Sequence, residues 1–287
     1  MTIEILPTNS VIGAEVLGAP LIRVPSDAEI EAVEQALERY GVLIFRGQEI
    51  TPAQQIAWSR AFAELEQTAR VDARLEGHPE IFVVGNTGKR IVSFAPADGS
   101  DDLEWHADHI HLEQTARASM LYCLETPPVG GETLFACMYH AYDSLPRDAQ
   151  AEADGLTALH SVSGLQRFLR AKGEKGAADG GYASPEALVV RWPLVRRHPR
   201  SGRKALYFGS MVTIGIEGWE VDRADAYITA MNRDATRPEF RYVHKWTPGD
   251  AVLWDNRRVL HAGTPFDGAA YRRRMYRTTF REDQPIL

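Results

Sequence analysis

An α+β domain built on an antiparallel, double-sheet jelly roll is the fold class this sequence predicts. Three observations predict it. Many short β-branched and aromatic runs are separated by Gly and Pro turns; helical patterns come early, with a few later insertions; and no internal repeat or composition break divides the 287 residues. A single domain over 1–287 follows.

Residues 3–24 read as short extended pieces broken by Gly13, Gly18 and Pro20. Ser26 and Glu29 have capping-box spacing, and Ile30, Val33, Leu37 and Tyr40 mark the apolar face of a helix that stops at Gly41. Val42 to Phe45 is a continuous apolar run, the pattern of a strand covered on both faces. Thr51 as N-cap and Pro52 at the first helical position open a second helix, with Ile56, Phe62 and Leu65 on its apolar side. Ile81 to Val84 is a strand closed by Gly85-Asn86, and Pro96 to Asp102 is a turn-rich acidic lead-in to the stretch Leu103 to Glu113. Ala118 to Leu124 and Glu132 to Cys137 are strands on either side of the Pro127 to Gly131 turn. Tyr139 to Leu145 and Arg147 to Leu156 predict helices, and Gly173 to Gly181 is a Gly- and Ala-rich excursion. Val189 to His198 and Ala205 to Gly209 flank Pro199-Arg200-Ser201-Gly202 as a hairpin. Asp222 to Arg233 is the last helix, and Phe240 to Trp246, Ala251 to Trp254 and Arg272 to Phe280 are the closing strands.

Composition excludes several classes of function. A formal net charge of −7 gives no electrostatic reason to bind nucleic acid. No apolar run approaches a membrane span, and the opening residues lack a secretory pattern, so a cytoplasmic protein with no membrane partner is expected. Cys123 and Cys137 are not a Cys-x-x-Cys pair and lie in apolar segments, which predicts two reduced, buried thiols.

The chemistry centres on His106-x-Asp108. In an extended strand these side chains share a face about 7 Å apart. One imidazole nitrogen and one carboxylate oxygen can then grip one metal ion, giving two of the three ligands of the two-His, one-carboxylate triad of ferrous oxygenases. His109-x-His111 and His111-x-Glu113 are competing pairs that would suit zinc or copper. The candidate third ligand is His261, past the strand that leads to Asp255-Asn256 and ahead of an arginine-rich strand. In that strand, alternation places Arg273, Met275, Arg277 and Thr279 on one face and Arg272, Arg274, Tyr276 and Thr278 on the other. Arginines on an inward face need anionic partners, and a guanidinium fork matches a carboxylate, so a dicarboxylate ligand would explain the strand; a solvated edge strand that uses its charges against aggregation is the competing reading.

These stretches together resemble the iron(II) and 2-oxoglutarate-dependent dioxygenases of the taurine dioxygenase and 2,4-dichlorophenoxyacetate dioxygenase group. The resemblance runs over nearly the whole chain, through Val42 to Gln48, Trp105-His106-Ala107-Asp108, Gly130 to Thr133, Trp192 to Val195 with His198, Ser201 to Lys204, Trp254 to Arg257 with His261, and the arginine strand. It implies a double-stranded β-helix of jelly-roll, cupin-like type with flanking helices. It implies that His106, Asp108 and His261 hold Fe(II), that Thr133 and Arg273 hold the distal carboxylate of 2-oxoglutarate, and that Arg277 lies near that molecule's other end and the substrate anion. Asn86, Lys89 and Arg90 are further substrate candidates, while His109, His111 and His198 are neighbours without assigned roles. The implied reaction uses O2 to hydroxylate a small organic anion. An aryloxyalkanoate-type carboxylate whose product breaks down is the first expectation, and a sulfonate or sulfate ester the alternative. Asp108 favours hydroxylation, because related halogenases carry a small residue there. A zinc-dependent hydrolase, which has no need of the paired arginines, and a non-catalytic metal-binding jelly roll are the readings from other classes. Related enzymes are dimers or tetramers, so a homo-oligomer is expected.

Overall fold

Two capped helices and the strand between them set the frame of the N-terminal quarter. A computed structural model describes residues 3–67, 71–87, 103–164 and 188–284. Strands β1 (Glu4–Pro7) and β2 (Ala14–Leu17) form an antiparallel hairpin. Helix α1 (Asp27–Tyr40) starts at a reciprocal capping box in which Ser26 Oγ accepts from the Glu29 amide and the Glu29 carboxylate accepts from the Ser26 amide. It ends at Gly41 with φ 72°, a left-handed cap that glycine adopts without strain. After β3 (Val42–Phe45), α2 (Pro52–Arg60) repeats the device with Thr51 and Gln54. The helix is shorter than its sequence suggests. Phe62 and Leu65 lie beyond its end, where Phe62 packs on Trp58 at 4.4 Å and Leu65 bridges Phe280.

Next come β4 (Arg74–Leu75), β5 (His78–Gly85), β6 (Ala116–Glu125), β7 (Thr133–Cys137), α3 (Met138–Asp143), α4 (Arg147–Asp154) and β8 (Thr157–His160). They are followed by β9 (Val190–Pro193), β10 (Val195–Arg197), β11 (Lys204–Leu206), β12 (Thr213–Ile216), α5 (Val221–Ala235), β13 (Arg241–His244), β14 (Ala251–Asp255), β15 (Val259–Gly263) and β16 (Arg274–Arg281). The principal sheet has the order β1-β2-β3-β14-β6-β16-β5-β4 and is antiparallel apart from the β2/β3 pair. A second sheet, β13-β7-β15, carries His261. Smaller sheets β12-β8-β9 and β10-β11 complete the set among the described residues.

The principal sheet is covered on both sides. Leu43, Phe45, Met120, Leu253 and Phe280 pack with Val33, Leu37 and Trp58 of the helices. Val42, Ile44, Leu121, Trp254 and Met275 pack instead with Phe135 and Leu260 of the second sheet. Double coverage is why Val42 to Phe45 is apolar at every position rather than at alternate ones. Helix α2 also docks through polar groups: Gln55 Nε2 donates to the Tyr276 carbonyl at 3.0 Å, and Ser59 and Thr278 share a 2.9 Å hydroxyl contact.

The expected strand Val189 to His198 is two strands. The chain bends at Leu194, whose amide donates to the Leu156 carbonyl and whose carbonyl accepts from the Tyr207 amide, so β9 pairs with β8 and β10 turns to pair with β11. Strands β8 and β12 lack a strong local pattern; they form through pairing with each other. Pro96 to Asp102, Gly173 to Gly181, Lys89 and Arg90 lie outside the described residues. Cys123 and Cys137 are free and buried, and no described helix is long and apolar enough to cross a membrane.

Buried His160 gives a pH prediction. Its Nδ1 meets Thr213 Oγ1 at 3.1 Å, and burial lowers its pKa from the ordinary 6.5 to about 3. Between those values the unfolded chain holds a proton that the folded chain does not, so stability falls as pH drops through the window, by about 1.4 kcal/mol per unit. Thermal midpoints recorded down that window should show the decline, and His160→Gln should flatten it; an identical slope in the variant would place the acid sensitivity elsewhere.

Candidate metal centre and anion pocket

The stretch around His106 is not a ladder strand. It meets β15 at one antiparallel bridge, His106 opposite His261, and then turns at 108–110, with His109 at φ 57°. At this turn the Asp108 carboxylate accepts a hydrogen bond from Ser119 Oγ of β6 at 2.7 Å. His261 lies in the middle of β15 rather than beyond a strand. Each histidine donates its backbone N–H to the other's carbonyl, at 3.0 and 2.9 Å, which presents the two imidazoles side by side. One ligand atom from each of His106, Asp108 and His261 falls within 4.8 Å of the others.

The protonation states suit a divalent cation. His106 Nδ1–H donates to the Glu104 carbonyl at 2.9 Å, so the lone pair lies on Nε2. Burial pushes both imidazoles below their ordinary range and keeps them neutral. Burial alone would push the Asp108 carboxyl up, but the neighbouring Arg277 guanidinium outweighs it and holds the group ionised. Arg277 Nη1 donates to Asp108 Oδ1, and Oδ2 lies 3.9 Å from His261 Nε2. Two neutral nitrogens and one carboxylate form the donor set that ferrous iron takes with coordination positions left open.

A pocket extends from this triad between the two sheets. Thr133, Leu121, Trp254 and Phe266 line it, and Arg273 and Arg277 enter from β16 and the residue before it. Arg273 is 8% exposed and has no acidic partner among the described residues. Burial lowers its pKa to about 10. Its Nε donates to the Gly131 carbonyl at 3.2 Å, which leaves both Nη groups as a fork for a carboxylate. Thr133 Oγ1 accepts from Trp246 Nε1 at 3.0 Å, so its own proton is available to an anion. Asn86 fixes the arginine: its Oδ1 accepts the Arg273 amide at 2.8 Å, and its Nδ2 donates to the Gly268 and Tyr271 carbonyls. This close approach needs Gly85, where φ is 133° and a Cβ would stand 1.9 Å from the Arg273 carbonyl oxygen.

A family model described as taurine catabolism dioxygenase TauD, TfdA family matches residues 3–279. The chain belongs to that family. An alpha-ketoglutarate-dependent 2,4-dichlorophenoxyacetate dioxygenase of Cupriavidus pinatubonensis is 35% identical over the full length of both chains. An (S)-phenoxypropionate/alpha-ketoglutarate-dioxygenase of Sphingobium herbicidovorans is 34% identical, covering 92% of this chain and 90% of that one. The solved structure of AAD-2 in complex with Mn(II) and N-oxalylglycine superimposes with TM-score 0.81 at 30% identity, with 100% of each chain covered.

Within this TauD, TfdA family member, the structure gathers His106, Asp108, His261, Thr133, Arg273 and Arg277 around one pocket, with Asn86 behind it. His109 and His111 stand apart from the triad. His109 Nδ1 lies 2.5 Å from Glu66 Oε2, and His111 faces His109 edge-on at 6.3 Å. His198 is fully buried against Asp255 at 2.9 Å, where Arg257 also grips the same carboxylate. Sequence reading missed Ser119, Asn256 and Trp246, which touch Asp108 and Thr133. A polar residue within the buried run Ala116–Glu125 was the available signal for Ser119.

Proposed function

We propose that this chain is a non-haem iron(II) dioxygenase that couples decarboxylation of 2-oxoglutarate to hydroxylation of a small organic anion. One observation carries the reading. A single pocket has a His, Asp, His donor set at one end and a buried guanidinium with no described acid partner at the other, which is the complement of a two-headed acid. In this reading His106, Asp108 and His261 hold the iron, and Arg273 and Thr133 take the distal carboxylate of 2-oxoglutarate. Arg277 supports Asp108 and faces the substrate anion. Ferrous iron bound there supplies oxygen activation, with succinate and carbon dioxide as co-products of the hydroxylated substrate. The protein's part is to keep the imidazoles unprotonated and the carboxylate charged, to orient the two-headed acid, and to exclude water with Leu121, Trp254 and Phe266.

The substrate best supported is an aryloxyalkanoate-type carboxylate, because relatives named for such substrates match at 35% and 34% identity over nearly the whole chain. Two sheets packed face to face support a double-stranded β-helix in one domain over 1–287, and the free, buried thiols support a reducing, cytoplasmic setting; the homo-oligomer rests on the family resemblance alone. Anaerobic addition of Fe(II) and then 2-oxoglutarate should produce a visible chelate band, and a panel of small carboxylates and sulfonates should release succinate. Bound iron with no band, or no succinate from any member of the panel, contradicts the proposal.

Gly85→Ala tests the arginine seat from behind. The added methyl cannot fit against the Arg273 carbonyl, so about 1–3 kcal/mol of stability should be lost to strain. The half-saturating 2-oxoglutarate concentration should rise more than turnover at saturation falls. A variant with the parent's thermal midpoint and 2-oxoglutarate dependence would refute this account.

A further inference from the structure

Asp108 is held by more than its pocket. Its amide N–H donates to Asn256 Oδ1 at 3.1 Å, and the same oxygen accepts Trp254 Nε1–H at 3.0 Å. With two donors converging on it, that atom must be the amide oxygen, and the Asn256 Nδ2 group is directed the other way. It donates to Ser119 Oγ at 3.0 Å, which occupies the hydroxyl as an acceptor and sends its one proton to Asp108 Oδ2 at 2.7 Å. The other carboxylate oxygen, Oδ1, takes Arg277. Trp254, Asn256 and Ser119 are each no more than 1% exposed, so water does not compete for these bonds.

We propose that Ser119 and Asn256 are positioning residues: a closed hydrogen-bond ring that presets the Asp108 carboxylate plane and allows it to offer a metal one oxygen only. A carboxylate using both oxygens would occupy an extra coordination position. Of the carboxylate's roughly four lone-pair sites, Arg277 takes one on Oδ1 and Ser119 one on Oδ2. The charge-assisted bond ties Oδ1 to the guanidinium, which leaves Oδ2, 3.9 Å from His261 Nε2, as the oxygen presented to a metal, and the positions needed by a chelating co-substrate and by dioxygen stay open. The backbone bond from Asp108 to Asn256 adds a second anchor, so the turn and the carboxylate are fixed by the same amide.

The inference rests on the proposed metal centre and is tested with Co(II), titrated into the metal-free full chain and followed by visible absorption. Asn256→Asp keeps the shape and the acceptor for the Asp108 amide but removes the donor to Ser119, so the serine proton turns toward the new carboxylate and away from Asp108. Ser119→Ala removes that proton outright, and Ser119→Thr restores it. We expect Co(II) affinity to fall about 10- to 100-fold in Asn256→Asp and Ser119→Ala, as for loss of an outer-shell partner, with an altered band shape. Ser119→Thr should return it to within about threefold of the parent. Parental affinity and spectrum in both weakened variants overturn the clamp. Should Ser119→Ala not fold, Asn256→Asp decides; failure of both to fold overturns the proposal too, because the side chains then serve the core rather than the ligand. A parent chain that binds no Co(II) sinks the metal-centre reading itself, which separates the two failures.

Discussion

Arg273→Ala is expected to weaken 2-oxoglutarate binding by roughly 30-fold to several thousand-fold, the equivalent of about 2–5 kcal/mol for truncating one partner of a buried charge pair. The fork formed by its two Nη groups has no substitute in the pocket, since Arg277 is committed to Asp108. The fold should survive with a thermal midpoint close to the parent's. In the protein alone the guanidinium is a buried cation without a described acid partner, and removing it relieves an unfavourable burial while leaving a modest hole. Arg273→Lys should recover only part of the loss, because an ammonium keeps the charge without the planar fork. Calorimetric titration of 2-oxoglutarate into the metal-loaded protein measures this, and unchanged affinity in Arg273→Ala would remove the arginine from its assigned role.

His261→Ala is expected to cut Co(II) or Fe(II) affinity by more than about 100-fold, beyond the effect of losing an outer-shell partner, and to reduce succinate release to background. The ring also packs beside Trp254 at 4.8 Å and Phe135 at 6.3 Å. Its loss should therefore lower stability by about 2–5 kcal/mol, as for other large-to-small changes in a core. His261→Gln keeps most of the volume and separates the two effects: stability should recover and metal binding should not. The bridge to His106 is made by backbone atoms, so neither change displaces the other two donors. Retention of metal within tenfold in both variants would show that the third donor lies elsewhere.

Local chemistry explains which parts of the fold were legible in the sequence. Ser26 with Glu29 and Thr51 with Pro52 mark helix starts because caps are set by neighbouring residues, and both starts are where the spacing puts them. Val42 to Phe45 announces double coverage by being apolar throughout. Strands β8 and β12 were not legible, because their pairing joins residues some fifty positions apart and neither alternates clearly. The break at Leu194 is a change of partner sheet, which a periodicity cannot register.

At the site, His106-x-Asp108 is legible from its spacing and Arg273 with Arg277 from strand alternation, whereas His261 is legible only through its place ahead of the arginine strand and through the family resemblance. The chain does converge them, but through one bridge and a turn at His109 rather than through an extended strand. The ring of Ser119 and Asn256 was invisible because each bond in it except that from Trp254 joins residues distant in sequence. A serine in a buried strand otherwise looks like a small space-filler.

Strand β16 lies inside the principal sheet, between β6 and β5, rather than at its edge. In chain order it follows β15, which carries His261. Until β16 is in place, β6 and β5 each present an unpaired rim, and such rims are open to pairing with other chains. The same order ties the site to the sheet: a chain that has not yet laid down β15 and β16 lacks the His261 imidazole and the pocket arginines, so the donor set and the anion seat are completed only as the last slot of the principal sheet is filled.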